Sequence, residues 1–138
     1  MVTLIIGKKG SGKTKKLIQL ANEAVAKSQG NVVVIEKGAK LTYDVTHKAR
    51  LIDTDVYGIQ GYNMLLGFIS GICAGNYDVT DIFVDSTFKI CEEGIDGLAA
   101  FVEKLDALSE EAQSNITMLV SAAEADLPEG LKAECVEI

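Results

Sequence analysis

The chain has 138 residues, 48% of them hydrophobic, and a formal net charge of -7. That length predicts one domain, residues 1–138, with enough chain to bury a core of its own. No apolar run of roughly 18 residues or more is present, which excludes a membrane-spanning helix of ordinary length, and the acidic balance makes nucleic acid an unlikely partner.

The charge is unevenly placed: residues 1–50 carry a balance of +7 and residues 51–138 one of -14. Cys73, Cys91 and Cys135 are odd in number, widely spaced and without a CxxC pair. They read as reduced, mostly buried thiols. The N-terminus runs straight into a strand-like segment rather than a signal peptide, so a cytoplasmic protein is expected.

In chain order, Val2-Thr3-Leu4-Ile5-Ile6 reads as a buried parallel strand ending at Gly7. Leu17, Ile18, Leu20, Ala21, Ala24 and Val25 then recur at helical spacing, with Gly30 as the helix stop. Val32-Val33-Val34-Ile35-Glu36 is a second buried strand, residues 37–48 read as a polar loop, and Ala49–Asp53 as a short strand. Ile59, Leu65, Leu66, Phe68, Ile69 and Ile72 predict a rather buried helix. Ile82–Asp85 is a fourth strand. An amphipathic helix follows over Ile95–Leu108, then a fifth strand over Ile116–Ser121 and a closing strand near Ala133–Ile138. Alternating strands and helices predict an α/β fold with a mainly parallel five- or six-stranded sheet and helices on both faces.

One segment carries chemistry by itself. Gly7-Lys8-Lys9-Gly10-Ser11-Gly12-Lys13-Thr14 matches GxxxxGK[ST] in full, between a strand and a helix as the motif requires. Gly7, Gly10 and Gly12 permit backbone angles and close approach that a Cβ resists. The loop N–H groups then form an anion nest, reinforced by the positive end of the following helix, which brings in Lys15. Lys13 is expected on the β- and γ-phosphates, and Thr14 on Mg²⁺. ATP with Mg²⁺ is the expected ligand.

Magnesium in such sites is also held through an acid at the end of a buried strand. Asp85 fits best; Asp53 and Asp55 are rivals. The next residue is Ser86, a poor general base at neutral pH. Glu36, at a strand's C-terminal end where ligands bind in open α/β sheets, is a substitute, set against a solvated strand-end acid.

GKKGSGKT, the strand ending in Asp85-Ser86 and Ser121 at the end of a later strand resemble the RecA-like branch of P-loop NTPases. That resemblance implies a three-layer P-loop fold with the strand at 116–121 between those at 2–6 and 82–85, and Ser121 as a γ-phosphate sensor. Residues 2–36 look like the start of thymidine kinases, without their metal-site Asp-Glu pair, zinc cysteines or substrate lasso. The whole chain also resembles very short P-loop proteins sometimes labelled twitching-motility ATPases of the PilT type. Three functions follow: an ATP-binding protein with weak or partner-stimulated ATPase activity, a small-molecule kinase, or a non-catalytic nucleotide-gated interaction module. The first and third imply a protein partner or self-association.

Overall fold

The computed structural model describes every residue, Met1–Ile138. Its elements are β1 (Val2–Ile6), α1 (Lys13–Lys27), β2 (Asn31–Glu36), β3 (Arg50–Asp53), α2 (Gly61–Gly75), β4 (Val79–Val84), α3 (Thr87–Ile90), α4 (Ile95–Ala112), β5 (Asn115–Val120), a 3₁₀ turn (Glu124–Asp126) and β6 (Glu134–Glu137). The six strands form one sheet in the order β3-β2-β4-β5-β1-β6, and every pairing is parallel. β5 therefore separates β1 from β4, as the resemblance to the RecA-like branch implies. The register pairs Ile6 with Val120, so β1 and β5 end level, while Val84 pairs with Met118 and β4 ends two residues short of them.

Alternation along the strands builds two apolar layers. Leu4, Ile6, Val33, Ile35, Ile82, Val84, Ile116 and Met118 face α2 and α4. Ile5, Val32, Val34, Phe83 and Leu119 face α1. The result is a three-layer P-loop-type α/β fold. No helix is long and apolar enough to cross a membrane.

Three features depart from the sequence reading. The 37–48 segment has no regular secondary structure, yet Leu41 and Val45, with Ala49 just beyond, pack into the α1 layer and complete its cover of β2. Gly30 lies beyond the C-cap, Ser28; a Cβ on it would sit 2.0 Å from the Asp78 carbonyl oxygen, so close approach of two loops requires it. The single turn α3, directly after β4, is too short to show a period in the sequence.

Candidate nucleotide site

The glycine loop links the C-terminal end of β1 to the N-terminus of α1. Gly10 and Gly12 hold left-handed φ angles of 84° and 94°, and Gly12 is the N-cap of α1. A Cβ there would meet no protein atom within 4 Å, so backbone conformation rather than crowding selects glycine at both. Gly7 is different: its backbone is extended, but a Cβ would lie 2.6 Å from Ser11 Oγ.

Within the loop, Ser11 N–H donates to the Lys8 carbonyl at 3.1 Å, and Lys16 N–H donates to the Gly12 carbonyl at 3.1 Å. The N–H groups of Gly10, Gly12, Lys13, Thr14 and Lys15 have no acceptor in the chain, and no side chain caps α1. The first turn of α1 also holds no acid. A row of free donors at a helix N-terminus, with no carboxylate to fill it, has the geometry and charge that suit an anion. Lys13 is 7% exposed, and its Nζ donates to the Lys8 carbonyl at 2.7 Å. Burial lowers its proton affinity, while the negative charge of Asp85 partly restores it.

Asp85 follows β4 at the facing edge and is 8% exposed. Its Oδ1 accepts a hydrogen bond from Thr14 Oγ1 at 3.1 Å, and its Oδ2 one from Ser86 Oγ at 3.0 Å. Thr14 and Asp85 thus meet, a hydroxyl and a carboxylate at one point. They are hard oxygen donors, and Mg²⁺ takes one or two such groups from the protein and completes its shell with water and phosphate oxygens. Of the rivals, Asp53 accepts hydrogen bonds from the Gly38 and Asp55 N–H groups, and Asp55 is paired with Lys37. Both organise the loops beside β3.

A cleft of about 580 Å³ runs between the glycine loop and the segment after β4, lined by Lys9, Lys13, Thr14, Asp85, Lys89 and Ser121 among others. Ser121, just past β5, therefore reaches the same space as the loop. Ser86 adopts a left-handed conformation (φ 56°, ψ 42°), rare for a residue other than glycine and typical of functional sites. Thr87, fully buried, also lines the cleft, and its Oγ1 has no hydrogen-bond partner.

Glu36 is not a solvated strand-end acid. It is 1% exposed, and its carboxylate accepts N–H bonds from Lys40 at 3.0 Å and Leu41 at 3.3 Å. Burial raises its pKa, the two N–H bonds oppose the rise, and the charges of Asp85 and Asp53 add to it. It does not line the cleft; Ile35 pairs with Val84, so Glu36 ends the strand next to the one that Asp85 follows. Lys89 and Thr87 escaped the sequence reading; their signal was only their distance of a few residues from Asp85.

Arg50, the only arginine, opens β3. In a parallel strand that is the end away from the glycine loop. At roughly 3.3 Å per residue it lies about 10 Å down the strand from Asp53, and β3 is the edge strand beyond β2 and β4. Burial pushes the thiol of Cys91 up to about 12 and that of Cys73 in the same direction, so neither is a nucleophile at neutral pH.

No protein-family model matches the chain, and no curated protein matches it in sequence. Its fold is similar to the crystal structure of the flagellar accessory protein FlaH from Methanocaldococcus jannaschii, with a TM-score of 0.59 and 16% identity over 94% of this chain. The chain covers 64% of that structure's length. At that identity the likeness is one of fold. Together with the all-parallel sheet order, it fits a P-loop fold of the RecA-like kind.

Proposed function

We propose that the protein binds ATP with Mg²⁺ in the cleft between the glycine loop and Asp85 and hydrolyses it slowly or in response to a protein partner. The observation that carries this reading is the row of unpaired N–H groups at the start of α1 beside the Thr14–Asp85 contact of 3.1 Å. The loop N–H groups and Lys13 would hold the phosphates, Thr14 and Asp85 the metal, and Ser121 a γ-phosphate oxygen. When bound, Mg²⁺ would bridge phosphate oxygens and offset their charge.

Glu36 is the acid available to accept a proton from water ordered near Asp85. Its raised pKa suits a base better than an ordinary surface carboxylate does. Its two N–H partners hold its carboxylate out of the cleft lining, which supports slow intrinsic turnover. With Arg50 at the far edge, no guanidinium reaches the site from the same chain, and such a group contributes about 10³–10⁵ in rate where present. A cytoplasmic setting and a protein partner or second copy accord with this reading.

The test is phosphate release by purified protein over a concentration series, with Asp85→Asn beside wild type. Slow release that Asp85→Asn reduces further agrees; release unaffected by Asp85→Asn contradicts the assignment. A small-molecule kinase is the second reading. It is favoured by a hollow of about 330 Å³ beside the cleft, lined by Lys37, Gln60, Glu92 and Glu93 and sharing Lys89 with it. Transfer of the γ-phosphate to metabolites, read by mass, separates the two.

A further inference from the structure

We propose that Lys89 is a catalytic cation of this site, its ammonium contacting the γ-phosphate from the wall opposite the glycine loop. The inference rests on the ATP-hydrolysis reading above and assigns the charge that Arg50 cannot supply.

The placement of Lys89 follows from how the chain leaves β4. The left-handed turn at Ser86 reverses direction immediately after Asp85. Thr87 and Ile90, both buried, anchor the single turn α3 in the core. Lys89 and Ile90 N–H groups donate to the Ser86 carbonyl at 2.9 and 3.1 Å, and Cys91 N–H to the Thr87 carbonyl at 2.8 Å. These bonds fix the backbone of residue 89 while its side chain stays exposed and lines the cleft.

Two observations single it out. The other cations lining the cleft, Lys9 and Lys13, both belong to the glycine loop. Lys89 is thus the one positive side chain on the opposite wall. Glu92 and Glu93 follow closely in sequence, yet the Lys89 ammonium makes neither an ion pair nor a hydrogen bond; the single ion pair of the chain joins Lys37 to Asp55. Its charge is therefore free for a ligand.

In hydrolysis the water oxygen bonds to the γ-phosphorus, and the bond from that phosphorus to the β–γ bridging oxygen breaks. The electron pair leaves with ADP, and the water's proton ends in solvent. Negative charge spreads over the transferring group's equatorial oxygens in that transition state. An ammonium between the cleft and solvent stabilises it without exchanging a proton. Its effect is larger in the transition state than on bound ADP, which lacks the γ-phosphate.

The experiment compares wild type with Lys89→Ala and Lys89→Arg. It measures affinity for ADP alone, affinity for ADP with aluminium fluoride as a mimic of the transferring group, and the rate of phosphate release. Lys89 is exposed, so both variants should fold. The proposal expects ADP affinity within twofold of wild type in Lys89→Ala, at least tenfold weaker binding of the fluoride complex, and release slowed about 10²-fold, with partial recovery in Lys89→Arg. Equal losses for ADP and the fluoride complex, or no loss in either affinity or rate, overturn it. If wild type itself binds no ADP, the ATP reading fails first, and the Lys89 proposal falls with it.

Discussion

Thr87→Val should make the protein more stable. Thr87 is fully buried, and its Oγ1 has no donor or acceptor within reach. Valine has nearly the same shape and the same β-branching, so packing and rotamer freedom hardly change. What changes is the desolvated hydroxyl, whose burial without a partner costs about 1–3 kcal/mol. Taking about 1–2 kcal/mol as the gain, the melting shift follows from the unfolding entropy. For 138 residues at about 2.1 cal/mol/K each, that entropy is about 290 cal/mol/K, so Tm should rise by about 3–7 °C. Calorimetry checks the rise, and urea unfolding should show a higher midpoint with unchanged slope. Because Thr87 lines the cleft, the same substitution should weaken ATP binding by about tenfold, the worth of one hydrogen bond to a charged group. A Tm that stays level or falls would mean the hydroxyl is already satisfied. An unchanged ATP affinity would place it outside the ligand's reach.

Glu36→Gln tests the buried acid through pH. Burial raises the pKa of Glu36 above 4.5, so the folded state holds this proton to higher pH than the unfolded chain does. Its contribution to stability is full below that value and is lost as pH rises through the folded-state pKa. Denaturation of the variant should lack this slope, and a slope equal to wild type would remove Glu36 as its source. If Glu36 also serves as base, the acid limb of phosphate release should lie above the usual carboxylate range and vanish in the variant. Arg50→Ala should leave turnover per molecule within twofold of wild type; loss of activity would bring the far end of β3 into the site.

The framework was legible because each buried strand is a continuous apolar run and GKKGSGKT has few meanings between a strand and a helix. The distal wall of the cleft was not. Ser86–Ile90 is five residues of mixed character, too few for a helical period, and its turn depends on a left-handed serine that local sequence does not announce. Glu36 ends an apolar run, which reads as a strand meeting water. It is buried because Leu41 and Val45, four residues apart, pull the following loop onto the sheet and deliver the Lys40 and Leu41 N–H groups to it. The position of Arg50 was within reach of the sequence: the first residue of a parallel strand lies at the edge away from the ligand.

Titration of ATP with Mg²⁺ into wild type and Lys13→Ala, followed by the shift in Tm, shows whether the glycine loop holds the nucleotide. Ligand at 100 times its dissociation constant stabilises the folded state by about 2.7 kcal/mol, which for this chain is a rise of about 9 °C. A shift of that order is expected in wild type and little or none in Lys13→Ala. Equal shifts in the two proteins, or none in wild type, would contradict it.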